Sequence, residues 1–404
     1  MVPSFCVKVG TACRAATRGV VGASGEAVVK IARVRAEYLN VPLGAEFRPT
    51  WNTGVVQRSI ATTLVRVESD DGVVGIGAGP TSGPAGAQLI EDQFNRLLIG
   101  MDPTRIEEIS RRTRPIAGEY AWPWCVEMAI WDLVGKALGQ PVYKLLGGFS
   151  DALPAYASLG ERRDAATRID DLARLREEGF RAAKLRFRGD RVQEDIAITR
   201  AVRDAHPEMT LMVDANMGHA MPGSVRMRIW DLKTALYVAD ALAELDVAWL
   251  EEPLPRRQFR ELAELTKMAR LPIAGGELNV GIPEFALLIE RRCYDILQAD
   301  AAFSEGIWGC RKIAATAEAF GLPFIPHTWS NGIGLLANFH LAASLPNCDW
   351  LELPYDPPAF THEGRDRLLA EPLRVDADGM VRISDRPGLG IVLDEDYIAH
   401  LRAG

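Results

Sequence analysis

The sequence lacks the marks of several large protein classes. None of its six cysteines forms a C-x-x-C pair or groups with histidine as zinc ligands do, so neither a redox motif nor a structural zinc site is read. They read instead as free, mostly buried thiols of a reducing cytoplasm. No run of about 18 apolar residues occurs, so no transmembrane helix is expected. Positive charge is not in excess: the 404 residues carry a formal net charge of -8, and neither a nucleic-acid footprint nor a membrane-surface patch is expected. No G-x-G-x-x-G follows a strand-like run, which argues against a nucleotide-binding Rossmann unit. Acidic residues are missing before Glu26, yet that stretch has no continuous apolar core. Residues 1–25 therefore read as a disordered leader rather than a targeting peptide.

What is present is an ordinary globular composition, 48% hydrophobic and 25% charged, with length enough to bury a large core. Residues 26–149 read as an α+β unit, strands first and helices after. Alternating apolar runs at 61–67 and 73–77 flank Ser69-Asp70-Asp71-Gly72, a strong hairpin signal. A loop at 40–57, containing Phe47, Arg48, Trp51 and Asn52, is the expected lid. From 150 to 353 short apolar strands recur at 153–158, 182–186, 210–214, 248–251, 272–277, 295–299, 323–326 and 350–353. Helical stretches such as 166–178, 194–205 and 309–320 separate them. Eight strands alternating with helices predict a parallel barrel of the α/β class. Residues 354–404 return to strand and turn signals, including a hairpin over Asp376-Ala377-Asp378-Gly379, and are expected to pack on the N-terminal unit.

Barrel chemistry sits at the C-terminal strand ends. There the sequence offers Lys184 and Arg186, then Asp214 with Asn216, then Glu251-Glu252, Glu277, Gln298 with Asp300, His327 and Glu352. A single acid after a strand is usually a helix cap or a solvated turn. The ordered set is the signal, because closure of a barrel brings carboxylates from successive strands around one axis. Left alone they would repel and raise one another's pKa values. A divalent cation resolves that, and an all-oxygen cage suits magnesium. Lys184 and Arg186 are two apart and share a strand face. His327 comes from across the barrel, and Asp300 on the neighbouring strand can hold its imidazole. Together these groups suit removal of a proton next to a carboxylate, where positive charge must stabilise an enediolate.

The segment Glu127-Met128-Ala129-Ile130-Trp131-Asp132-Leu133-Val134-Gly135-Lys136-Ala137-Leu138-Gly139-Gln140-Pro141, with its continuation to Gly148, resembles the helix that leads into the barrel of the enolase superfamily. Within it, the chain is similar to the mandelate racemase subgroup over nearly its whole length. The resemblance implies a modified (β/α)7β barrel under an α+β capping domain. It implies Asp214, Glu251 and Glu277 as magnesium ligands, His327 with Asp300 as the catalytic dyad, and Glu352 as the acid that hydrogen-bonds the substrate carboxylate. Lys184 and Arg186 match the subgroup's Lys-x-Lys pair. Arg186 departs from it: the second lysine is the subgroup's strand-two base, whereas an arginine with a pKa above about 12 is almost never neutral. A one-base mechanism through His327 gains weight.

Asn216, Trp51 and Thr328 are candidate substrate contacts; for Asn216 a structural hydrogen bond is an equal alternative. His219 reads as a solvated loop residue, Tyr156 as core, and Trp122 and Trp124 as core or interface. The expected partner is a small anionic hydroxy or sugar acid, and a homo-oligomer is expected. Dehydration of an acid sugar to a 2-keto-3-deoxy acid is the leading expectation. A racemase, epimerase or cycloisomerase using the same enediolate remains open, as does a catalytically silent sugar-acid-binding barrel.

Overall fold

The computed structural model describes residues 29–80, 83–116, 123–218 and 229–403. The leader expected at 1–25, Trp122 and His219 lie outside them. Among the described residues no helix is long and apolar enough to cross a membrane.

The chain opens with an antiparallel sheet of three strands, β1 (Ile31–Phe47), β2 (Gln57–Ser69) and β3 (Val74–Gly79), in sequential order. Asp71-Gly72 makes the expected turn between β2 and β3, with Gly72 at φ +89°. The loop expected from residue 40 begins later, because β1 continues to Phe47. Pro42 and Gly44 read as breakers, but β1 is an edge strand, where a missing N–H costs no ladder bond. Val41 and Phe47 on this extension are buried while Pro42, Gly44 and Glu46 face solvent. The tip between β1 and β2 is therefore short and carries a single turn at Thr50–Asn52.

Three helices follow: α1 (Pro84–Leu98), α2 (Ile106–Thr113) and α3 (Trp124–Ala137). Buried α3 lies directly on β2 and β3. A Cβ on Gly75 would stand 2.0 Å from the Ala129 carbonyl oxygen, and one on Gly77 would stand 2.0 Å from that of Cys125. Helix and sheet thus meet backbone to backbone. Gly139, at φ +64°, ends this run, and the short α4 (Val142–Leu145) leads into the barrel.

The barrel strands are β4 (Ala152–Ser158), β5 (Ala182–Arg186), β6 (Thr210–Asp214), β7 (Val247–Glu251), β8 (Ile273–Gly275), β9 (Ile296–Leu297) and β10 (Leu351–Pro354). They are parallel, in the order β10-β4-β5-β6-β7-β8-β9. Between them run α5 (Ala165–Glu177), α6 (Val192–Ala205), α7 (Leu232–Ala243), α8 (Phe259–Met268), α9 (Ile282–Glu290), α10 (Gly306–Ala319) and α11 (Gly332–Ala343). The strand expected at 323–326 fills the gap between β9 and β10 but forms only one bridge, Phe324 to Leu297. Pro323 and Pro326 donate nothing, so a regular ladder cannot form. Ile325 still donates to the Leu297 carbonyl at 2.9 Å, and Thr328 donates its hydroxyl to the Glu352 carbonyl at 2.6 Å, which carries the wall to β10.

The tail turns at Asp376–Gly379, but its first arm is not a strand. The second arm, β11 (Met380–Arg382), pairs antiparallel with β4 of the barrel. After α12 (His362–Arg365) and this strand comes α13 (Glu395–Ala403), which lies on β1, with Arg402 paired to Glu37 at 2.6 Å and Glu395 to Arg66 at 2.9 Å.

Candidate active site

Strand periodicity builds the site. Inside the barrel, Tyr156, Ala182, Met212, Trp249, Ala274, Ile296 and Ile325 form a separate buried cluster, with Trp350 packed against it. Two residues further along each strand, the same inward face carries Ser158, Lys184, Asp214, Glu251, Gly276, Gln298, His327 and Glu352. The apolar layer is the floor, and the polar layer rests on it at the strand ends. Tyr156 is thus core, its ring lying 5.5 Å below the Lys184 ammonium.

Asp214, Glu251 and Glu277 are buried, and one oxygen of each lies within 4.8 Å of the others. Glu277 reaches this point because Gly276, at φ +121°, turns the chain at the end of β8. An oxygen-only set of three carboxylates fits a hard divalent cation. Glu252, the neighbour of Glu251, sits at φ +45° and is also buried, but it does not join the triad.

On one side of the triad stand the fixed cations. The Lys184 ammonium lies 2.8 Å from Glu251 and 2.7 Å from Glu352. The Arg186 guanidinium pairs with Asp214 and donates to the Leu159 carbonyl at 2.7 Å. Its plane packs against the indoles of Trp51 and Trp329, 5.0 and 5.5 Å from their centroids. Burial opposes ionisation of Glu352, but Lys184, then His327 and Arg186, outweigh it and hold that carboxyl down at about 2.

On the other side, His327 Nδ1 is 2.8 Å from Asp300, and Nε2 points inward, 3.2 Å from Glu277. Burial disfavours the charged ring, yet Glu277, Glu352 and Asp300 raise the imidazole to about 10. Glu277 belongs to the triad, so the carboxylate that lifts this ring is also one that a cation would engage. In charge terms, the carboxylates of Asp214, Glu251, Glu277, Asp300 and Glu352 face two permanent cations and one imidazole. Even with the ring protonated, two negative charges remain uncompensated by protein groups.

Of the other expected residues, Asn216 sits at φ +50° and donates its side-chain amide to Asp214 at 3.0 Å, the structural alternative. Thr328 is engaged by Glu352 through both its hydroxyl and its amide N–H, which donates to the carboxylate at 2.9 Å. Through these contacts it steadies Glu352. Trp51 stands at the tip between β1 and β2, over Arg186.

Three further residues hold the site together, and the sequence reading gave them no role. Gln298 donates to Glu251 at 2.9 Å; its signal was its place two residues before Asp300. Asn338 donates to the Asp300 oxygen that His327 does not use, at 2.8 Å; an amide inside the mostly apolar Gly332–Ala343 helix was the available signal. Ser158 donates to Glu352 at 2.6 Å and accepts from Arg186 and Trp329.

Comparison with known proteins shows the family of the chain. Residues 44–147 match the mandelate racemase/muconate lactonizing enzyme N-terminal domain, and residues 168–397 match the enolase C-terminal domain-like family. A D-galactarolactone cycloisomerase of Agrobacterium fabrum is 32% identical over 85% of this chain and 91% of its own. An arabinonate dehydratase of Saccharolobus solfataricus is 30% identical over 84% and 90%. A racemase from Streptomyces coelicolor, solved with bound magnesium, superposes with a TM-score of 0.77 at 28% identity, covering 92% of this chain and 99% of that one. The chain belongs to the mandelate racemase/muconate lactonizing enzyme family of the enolase superfamily.

Proposed function

We propose that this enzyme removes the proton α to the carboxylate of an acid sugar and eliminates the 3-hydroxyl, giving a 2-keto-3-deoxy acid. The observation that carries the reading is the His327–Asp300 pair, whose second ring nitrogen faces the carboxylate triad opposite Lys184. We assign magnesium to Asp214, Glu251 and Glu277, supported by their oxygen-only chemistry and by the bound magnesium of the S. coelicolor racemase. A dication there supplies positive charge to the substrate carboxylate and lowers the cost of the second negative charge.

The protein's own groups do the rest. His327 takes the proton from C2 as general base, and the C–H electron pair becomes the C1–C2 double bond of the enediolate. Lys184 stabilises the charge on the carboxylate oxygens, and Glu352, held by Ser158, Thr328 and Lys184, positions that carboxylate. Arg186, bound to Asp214 and stacked on two indoles, acts as an anchor and not as a base. The pair then returns to make the C2–C3 double bond as the C3–O bond breaks. The departing oxygen takes the proton from His327 and leaves as water. The enol takes a proton at C3 and gives up its C2 hydroxyl proton to solvent, becoming the ketone.

A second reading, cycloisomerisation, is favoured by the likeness to the A. fabrum cycloisomerase. There the same proton is removed, but a ring oxygen leaves and stays on the molecule, so no water is lost. A screen of acid sugars and their lactones with purified protein and magnesium separates the two. Loss of one water with a new 2-keto acid is the expected result. An isomer of unchanged mass would establish the second reading, and no α-proton exchange with solvent deuterium on any acid would sink both. A cytoplasmic location goes with this proposal, supported by the four described cysteines, which are buried and form no disulfide with one another.

A further inference from the structure

The carboxylate end of the substrate is accounted for by the barrel; the other end has its own enclosure. A cavity of about 440 Å3 lies between the tip of β1–β2 and the barrel mouth. Trp51, Trp329, Phe303 and Phe360 form its apolar walls. It adjoins the reacting groups: the Phe303 ring is 6.1 Å from that of His327, and Trp51 meets Trp329 edge to face at 4.8 Å. Its polar lining comes from amides and hydroxyls, among them Gln57, Ser59 and Asn331. Among the described residues, no Lys, Arg, His, Asp or Glu lines it. Arg186 stands behind the two indoles and is paired with Asp214.

These walls favour one kind of distal group. Hydroxyls can exchange hydrogen bonds with Gln57 and Ser59, and sugar C–H faces can pack on the indoles. A second carboxylate would leave water for aromatic walls with no cation among the described residues to meet it, and an unpaired charge in such a place is costly. We propose that the cavity selects acid sugars with an uncharged far end, monocarboxylates such as aldonic acids, and discriminates against dicarboxylates. This rests on the α-proton abstraction proposed above and names which of its substrates the enzyme takes.

The test uses matched aldonates and aldarates of identical configuration at each stereocentre, with purified protein and magnesium. Both α-deuterium exchange and kcat/KM are read. The aldonate of a turned-over pair is expected to exceed its diacid by on the order of 10²-fold in kcat/KM. Gln57→Arg, which places a cation in the wall, is expected to narrow that ratio by roughly tenfold or more. Diacids processed as well as or better than their aldonates by the unaltered protein would overturn the selection while leaving the chemistry standing. No exchange with either class would overturn the underlying reading and this proposal with it.

Discussion

The two walls of the site are made differently. The barrel wall is charged, buried and cross-braced: Lys184, Asp300 and Glu352 each touch at least two other polar groups, and all three come from barrel strands or the residues just beyond. The outer wall, which the cap shares with the segments carrying Phe303, Trp329 and Phe360, is aromatic and, among the described residues, neutral, and Trp51 reaches it from a short turn between two strands. A strand end fixes an atom to the precision that proton transfer demands. A turn tip can change its side chain without moving the reacting groups. On the reading proposed above, the cap's contribution to selection, Trp51, lies on a stretch of chain apart from the chemistry, and substitutions in the two should fail in different ways.

His327→Asn tests the barrel wall most severely. Turnover should fall by about 10⁴-fold or more, the upper end of general acid–base effects, while KM stays within a few-fold of the parent. A loss under tenfold would move the base to strand two and make Arg186 carry the chemistry. Glu251→Gln removes one formal charge from the triad. It should weaken magnesium binding, read by calorimetry, beyond the ~10–100-fold typical of an outer partner of a metal ligand. Circular dichroism should remain native, because the floor of apolar residues holds the barrel. Chelation should abolish turnover and magnesium restore it; undiminished turnover in metal-free buffer would refute the scheme.

Gln298→Ala removes a hydrogen bond to Glu251 and should fall in that ~10–100-fold range of magnesium affinity. An unchanged calorimetric Kd would show that Gln298 is only packing. Across the cavity, Trp51→Ala should cost about tenfold in kcat/KM, mostly through KM, since it removes contact area and no charge. A collapse of kcat instead would erase the distinction between the walls.

The smallest effect on activity is expected at the seam between the two units. His340 on α11 accepts the Tyr143 N–H at 3.0 Å, and burial holds its pKa down to about 3. The folded ring stays neutral while the unfolded chain takes up a proton below the ordinary value of 6.5. Stability is therefore full above pH 6.5 and falls as pH drops toward 3. This one group should contribute a loss of about 2 kcal/mol by pH 5. Denaturant midpoints at pH 7 and pH 5 check this; His340→Gln should show a flatter pH dependence than the parent.

Much of this was legible in the sequence because barrels are periodic. Residues 182–186 and 210–214 read as strands and are strands, since buried parallel strands are short continuous apolar runs. The order of acids at successive strand ends pointed to convergence because closure of a barrel leaves strand ends nowhere else to go, and the resemblance to the mandelate racemase subgroup singled out Asp214, Glu251 and Glu277. The rest failed for local reasons. Prolines at 323 and 326 hid that the seventh position is held by scattered hydrogen bonds and not by a ladder. The loop expected from residue 40 proved to be strand as far as Phe47, because edge and central strands are indistinguishable before pairing is known. Asn338 and Ser158 could not be given roles, since their partners lie 38 and 194 positions away in the chain.

The contact of α3 with the sheet has a consequence for how such a chain can evolve. At Gly75 and Gly77 even one added carbon would collide with the helix backbone, so these two sites offer natural selection no neutral alternatives. The turn that bears Trp51 sits at the far end of the same sheet and is under no such constraint. A lineage could exchange the side chains that meet a sugar many times over while the joint beneath them stays frozen. Diversity of diet and constancy of scaffold would then be written into a single three-stranded sheet.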